Sequence, residues 1–440
     1  MSTSAHIVCL AALAAAAVPA QQSRPSFAPA PDDRQVPRAM HVAMPDRPVI
    51  RVAPQGADIN GSDNRALQAA VDYVAALGGG TVEVGEGVYL MRDSLHLRSH
   101  VTVRGAGEKT VLLKAPSVTS PLALDGDFGE EQITVRNPEG FQVGASVAVW
   151  DASAGGFYTT VARITGRKGN TFAISRPLNA DCVVSNKAQA ATVFPVVSGY
   201  NIEGARVEGL TIDGARDKNA PLNGCRGAGI FLYRGFGTVI ENCRVHHYNG
   251  DGISFQQSND VQVIRSTSEN NAGLGIHPGS GSQRAVVREC IARANGGDGL
   301  YLCWRVKDGV FEANQLLDND RFGISIGHKD SDNILRSNLV RGNGRHGIYF
   351  RNETEGMEGN RNVLEDNRIE NNGRTQQAAG IMIDGFTTGT VIRGNTIADT
   401  RDSAARTQGV AIRIGKKAGT VTVEKNRVTG AAEVEDLRQR

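Results

Sequence analysis

Apolar residues along most of this chain fall in short alternating runs, and the runs recur. Asp251-Gly252-Ile253, Leu274-Gly275-Ile276, Asp298-Gly299-Leu300, Phe322-Gly323-Ile324 and His346-Gly347-Ile348 nearly superimpose, their glycines stepping by 23, 24, 24 and 24 residues. Gly229 lies 23 residues earlier, and Gly380 and Gly409 continue the series more loosely. A second run follows several of these: Val261-Gln262-Val263, Ala285-Val286-Val287, Asn333-Ile334-Leu335 and Asn362-Val363-Leu364. Neither run has a helical period, so each repeat predicts strand, turn, strand, turn. One such unit cannot bury its own apolar face, so the units must stack. The predicted fold is an all-β solenoid, a parallel β-helix. Asn271, Asn295, Asn319 and Asn343 keep the step of 24 and predict an internal amide ladder that satisfies turn backbone.

Strand alternation sorts each repeat by face. Counting from the repeat glycine, positions one and three read Ile253/Phe255, Ile276/Pro278, Leu300/Leu302, Ile324/Ile326 and Ile348/Phe350, an apolar stack that must point inward. Positions two and four must point out. They read Phe231, Ser254, His277, Tyr301, Ser325, Tyr349, Met382 and Tyr233, Gln256, Gly279, Cys303, Gly327, Arg351, Asp384. A solvated strand face ordinarily carries Thr, Lys and Glu, whereas this one carries His, Tyr, Arg and small residues. Tyr301 and Tyr349 are two coils apart, roughly 9.6 Å, and predict aromatic walls around a notch floored by Ser325 and Gly327. Sugar rings lie on such walls. Pro278 sits inward in a central strand, where its missing N–H breaks the ladder beside His277. It is either a tolerated bulge or a mark of function.

Outside the repeats, Ile7–Ala17 is a short apolar run before Val18-Pro19-Ala20, which predicts a cleavable signal peptide over 1–20 and a secreted or periplasmic protein. Residues 21–48 are Pro- and Ala-rich and predict a linker. Leu67, Ala70, Val71, Val74 and Leu77 recur at helical spacing after Asp63, a plausible N-cap, and Gly78-Gly79-Gly80 ends the run. A helix there would cap the open end of the solenoid. Residues 116–195 break the repeat and predict a small β insertion. The β-helix domain is expected over 49–430, with 431–440 a frayed tail.

Composition narrows the classes. The chain has 52 glycines, 5% aromatic residues and a net charge of +2 without a basic tract, which excludes an electrostatic nucleic-acid footprint. No apolar run is long enough to span a membrane. Five cysteines follow the predicted cleavage site, so at least one is unpaired. Cys243 and Cys290, two coils apart, lie beyond disulfide reach. Nothing predicts an oligomer, so a monomer is expected.

The motifs resemble the pectate-lyase-like superfamily of right-handed parallel β-helices. The resemblance rests on Gly56-Ala57-Asp58 ahead of the helix, then Gly78-Gly79-Gly80-Thr81-Val82 and Gly85-Glu86-Gly87-Val88-Tyr89, and Gly209-Leu210-Thr211-Ile212-Asp213-Gly214. It implies a right-handed coil and a carbohydrate partner, and it leaves the reaction open, because the superfamily hosts lyases, hydrolases, epimerases and non-catalytic phage proteins. Gly323-Ile324-Ser325-Ile326-Gly327 is similar to a polygalacturonase stretch, but that family's His is Phe322 here, its Asp-Asp pair is absent, and Arg413-Ile414 is followed by Gly415. Alginate epimerases carry Asp-Pro-His, where this chain has Ile276-His277-Pro278.

Turn residues past the outward strand, Trp304-Arg305, His328-Lys329-Asp330-Ser331-Asp332 and Asn352-Glu353, are expected along one side of the notch, with Asp298 and His346 on the other; Asp298 and His346 read equally as turn residues that satisfy backbone groups, and Arg351 as a surface partner of Glu353 or Glu355. Asp251 reads as a turn residue. For β-elimination at a uronate, His277 or His328 would be the base, Arg351 would neutralise the carboxylate, and Tyr301 or Tyr349 would donate the proton. C5 epimerisation begins with the same abstraction. Hydrolysis would need paired carboxylates from Asp298, Asp330, Asp332 and Glu353. Trp304, Gln256, His346, Asp332, Glu353 and Lys329 are the expected substrate-binding residues. The residues assign no cofactor; a Ca²⁺ ion on Asp330, Asp332 and Glu353 is what the resemblance to calcium-using pectate lyases would imply. Non-catalytic glycan adhesion is the reading from a different class. There the same aromatic strip would bind without a base and acid.

Overall fold

The computed structural model describes residues 46–153 and 155–439; the predicted signal peptide and most of the linker lie outside them. The repeats wind into stacked coils of parallel strands. One face is an 11-stranded sheet built from one strand per coil, running from Leu95–His96 through Asp251–Gln256, Ile276–Gly279, Leu300–Tyr301, Ile324–Ile326 and Ile348–Phe350 to Ala432–Asp436. The rest of each coil supplies two short strands, such as Gln262–Ile264 and Thr267–Glu269, to a 22-stranded sheet. The sequence pattern predicts two strands per coil and misses the third. Strands such as Ile291–Arg293 and Gln315–Leu317 bury only one fully inward residue, Ala292 or Leu316, so they carry no alternation to read.

The register confirms which residues share a face. Ile253, Ile276, Leu300, Ile324, Ile348, Ile381 and Ile412 pair in succession and are fully or almost fully buried. Beside them Ser254 pairs with His277, Tyr301 with Ser325, and Ser325 with Tyr349. Pro278 pairs with Phe255 without a register shift, so there is no bulge. The ladder simply passes from the Ile276 N–H to the Ser280 N–H with the proline between them.

Buried amides clamp the corners of successive coils from Asn271 onward. Asn271, Asn295, Asn319, Asn343 and Asn372 each donate to the next residue of the series at 2.9–3.0 Å, ending on Gln408. Asn314, Asn338, Asn367, Asn395 and Asn426 form a second such column. These side chains satisfy buried turn backbone that would otherwise go unpaired.

At the N-terminal end, helix Asn64–Ala76 packs Leu67, Ala70, Val71 and Val74 onto the coil core, and Asp63 caps it through the Arg65 and Ala66 N–H groups. Strands between Thr119–Pro121 and Gln189–Ala191 form a six-stranded sheet with antiparallel pairings and its own apolar cluster around Phe141, Ile164 and Phe172. Residues expected in a frayed tail instead form strand Ala432–Asp436, which pairs with Gln408–Ile414 and extends the coil. Its mixed charges hide this: Glu435 meets Arg413 at 2.6 Å, so the charges mark a paired edge and not a free end. The five cysteines among the described residues are all unpaired. No helix among those residues is long and apolar enough to cross a membrane.

Candidate functional site

On the outward face of the 11-stranded sheet lies a cleft of about 610 Å³. Successive coils contribute His277, Tyr301, Ser325 and Tyr349, the turns add Trp304 and His328, and Arg351 crosses the floor. The opposite wall comes from residues 223–225 and from Phe157 of the inserted sheet.

His277 is buried, although strand alternation turns it outward; residues 223–225 line the same cleft, with Gly224 against its partner Asp251. Its Nδ1 lies 2.7 Å from Asp251 Oδ2, while Nε2 is buried without a hydrogen-bond partner. Burial alone would lower the imidazole pKa; the Asp251 hydrogen bond and the adjacent Cys303 thiol outweigh it and raise it to about 9. Asp251 also accepts from the Leu274 N–H at 2.8 Å, so the turn role expected for it is real but incomplete. Its carboxylate is seated against Gly224, where a Cβ would come within 1.6 Å of Oδ2.

His328 has the opposite electrostatics. Burial and the Arg351 guanidinium lower its pKa below the ordinary value, with Glu353 opposing. It stands in a left-handed turn (φ 45°) just past Gly327, matching the left-handed Trp304 one coil earlier, and the two rings stack at 5.1 Å. Glu353 holds its Nε2 at 3.3 Å.

Arg351 occupies the space that the sequence suggests is an open notch between Tyr301 and Tyr349. Its guanidinium lies over the Tyr301 ring at 4.5 Å and donates to Ser325 Oγ (2.9 Å), the Leu302 carbonyl (2.7 Å) and Asp330 (3.1 Å). Gly327 permits this path, since a Cβ there would come within 2.6 Å of Arg351 Nε. Tyr301 stays a neutral phenol: burial raises its pKa, with the guanidinium opposing. Tyr349 stacks on Phe322 at 4.5 Å and donates to Asp384 at 3.2 Å.

Several expected site residues lie elsewhere. Asp298 is buried, caps the Phe322 N–H at 3.2 Å, and is pushed by burial up to about 6. Asp330 is buried beneath Arg351 and caps Val306 and Gly327; burial pushes it up to about 7. Asp332 points to another edge and forks onto Arg361 at 2.6 and 2.7 Å. Asp330, Asp332 and Glu353 therefore do not converge as a calcium site. His346 accepts the Ala379 N–H at 2.9 Å; burial lowers it to about 4, so it is a neutral structural acceptor. Gln256 is buried and donates to Ser254 Oγ, which in turn donates to the Gly224 carbonyl. Lys329 is exposed and does not line the cleft. Sequence reasoning gave no site role to Cys303, Phe322 and Arg321, nor to Phe157 and residues 223–225. The column arithmetic already held Cys303; the wall crosses from an irregular segment that no repeat register reaches.

A second cavity of about 290 Å³ opens where the inserted sheet meets the same strip, lined by Arg176, Arg226, Tyr200 and Tyr233 among others. Arg176 lies 3.8 Å over the Tyr200 ring. Neither arginine has a carboxylate partner among the described residues.

Residues 197–358 and 351–434 match the family model described as the right-handed beta helix region. In sequence, the chain is 34% identical over 89 residues to the mannuronan C5-epimerase AlgE3 of Azotobacter vinelandii, which is 20% of this chain and 5% of that protein. A match to the AlgE5 epimerase of the same organism has 32% identity over 91 residues, 21% of this chain and 9% of that one. The chain thus covers under a tenth of the length of these two curated relatives. Among solved structures, the A-module of the A. vinelandii epimerase AlgE4 aligns with a TM-score of 0.51 at 17% identity, covering 84% of this chain and 93% of that one. ORF18 of Geobacillus virus E2 aligns at 0.53 and 12%, covering 88% and 62%. Those structural likenesses concern the fold. With the stacked parallel coils and a family match over more than half its length, the chain belongs to the right-handed β-helix family.

Proposed function

We propose that this protein is a polysaccharide-modifying enzyme that abstracts the proton next to the carboxylate of a uronate residue, and that the intermediate collapses by β-elimination. One observation carries the reading: two imidazoles on one cleft have their pKa values pushed apart, up to about 9 at His277 and downward at His328. Groups so separated divide into acid and base. His328, neutral at pH 7 with its Nε2–H held by Glu353, takes the proton on Nδ1, the nitrogen that faces Arg351 Nη2 at 3.4 Å. The deep imidazolium of His277 and the neutral phenol of Tyr301 serve the leaving oxygen. Arg351 faces the developing negative charge on the uronate carboxylate, stabilising it electrostatically in a partly desolvated site. Trp304 and Tyr349 give the sugar ring apolar surface.

Hydrolysis fits less well. Asp251 is the only carboxylate lining the cleft among the described residues, and it is bound to His277. C5 epimerisation is the second reading, favoured by the local identity to mannuronan C5-epimerases. It uses the same abstraction, with reprotonation in place of expulsion.

The test is purified protein against a panel of uronate-containing and neutral polysaccharides in D₂O. Elimination gives unsaturated, ultraviolet-absorbing ends. Epimerisation gives deuterium at C5 without chain cleavage. New reducing ends without unsaturation would refute both, and binding without turnover would leave the adhesive reading.

A further inference from the structure

We propose that Asp213, His246 and His247 form a transition-metal site on the coil surface, suited to zinc and separate from the cleft. One ligand atom from each residue lies within 4.8 Å of the others. Asp213 and His246 end paired strands, Arg206–Asp213 and Arg244–His246, and sit directly opposite each other in the register, one coil apart.

Two successive residues of a strand point to opposite faces and could not share an ion. His247 escapes this because its backbone is left-handed (φ 50°), which turns its side chain back beside its neighbour. The two rings meet edge to face at 5.0 Å, with Nδ1 2.8 Å from Nδ1. At that separation one ring donates its Nδ1 hydrogen to the other, so the two nitrogens face one another, and an ion would take the place of that hydrogen. Asp213 is itself oriented, accepting the Ala215 N–H at 2.9 Å.

Imidazole donors exclude calcium and magnesium as the natural occupants, and a His₂Asp set with an open fourth position suits zinc. Ligation at about 2.0–2.1 Å needs the two nitrogens somewhat farther apart than they stand. His247 is exposed and its ring is free to rotate by that amount. The charged neighbours are Arg244, Glu269, Arg216 and Asp217; Glu269 is committed to Arg244 and Arg293, so it does not compete for the ion.

The experiment is calorimetric titration of ZnCl₂ into full-length protein that carries no polyhistidine tag and has been stripped with EDTA. His247→Ala and His246→Gln are run beside it, with circular dichroism to verify the fold. The expected result is one equivalent bound, with affinity reduced at least tenfold in each variant. No binding to the parent protein, or a reduction smaller than tenfold in a folded His247→Ala variant, would overturn the proposal.

Discussion

Replacing Asp251 by Asn removes the charge that keeps His277 protonated and leaves most of the local shape in place. The amide oxygen can still accept the Leu274 N–H that Oδ1 accepts at 2.8 Å. The other position, 2.7 Å from His277 Nδ1, changes from an anionic acceptor to a donor. The imidazole then loses the Asp251 support while its burial remains and only Cys303 opposes it, so its pKa falls from about 9. A histidine whose folded pKa is raised stabilises the fold fully below its unfolded value, and that stabilisation is lost as pH rises through the folded one. The window here runs from about 6.5 to about 9. The linkage amounts to about 3 kcal/mol at neutral pH. Asp251→Asn should therefore lower stability at pH 7 by about that much, and the penalty should shrink above pH 9. Activity follows the same proton. The parent enzyme should lose kcat as pH rises through about 9, and the variant should show that fall at lower pH. Urea unfolding at several pH values and a pH–rate profile measure the two effects. An unmoved basic limb in a folded variant would refute the assignment of His277 as the proton donor.

Three other outcomes are expected. Gly327→Ala puts a methyl group within 2.6 Å of Arg351 Nε and Glu353 Oε1, so it should displace the guanidinium and cut kcat at least tenfold with little change in melting temperature; intact kcat would place Arg351 outside the chemistry. Asn319→Ala removes the acceptor for the Asn295 N–H and Nδ2 and the donor to the Ala292 carbonyl, and should cost about 3 kcal/mol or more, read by denaturant unfolding. Arg176→Ala should raise KM for long uronate chains and leave short ones unaffected, because the second cavity lies three coils, roughly 14 Å, along the strip; an equal effect on both lengths would contradict that placement.

The fold was legible because a solenoid writes its geometry into sequence spacing. The glycine step and the inward Ile/Leu/Phe column assign the 11-stranded face, and the Asn271–Asn343 series announces the amide ladder. The outward column correctly places His277, Tyr301, Ser325, Tyr349 and Arg351 on one strip. What it cannot supply is how far each side chain reaches or what lies over it. Arg351 folds back across Gly327 and fills the notch, while Gln256 and His277 are buried on the outward face, where residues 223–225, outside the repeat, meet Ser254 and Asp251. Asp298 and His346 read in sequence either as site residues or as turn groups satisfying backbone, and the second holds, since each accepts a backbone N–H; Asp330, expected in the site, does the same from beneath Arg351. Asp251 misleads in the other direction, since its place in the repeat matches Asp298 and only the next coil reveals its bond to His277.

Selective isotopic labelling of the histidine rings, with nuclear magnetic resonance titration of the free protein, tests the central claim most directly. Resonances are assigned by His277→Gln and His328→Gln. At pH 7.5 the His277 ring should be an imidazolium that titrates near 9, and the His328 ring should be neutral, titrating below 6.5. Two rings titrating together near the free value would contradict it, and with it the division of the cleft into an acid and a base.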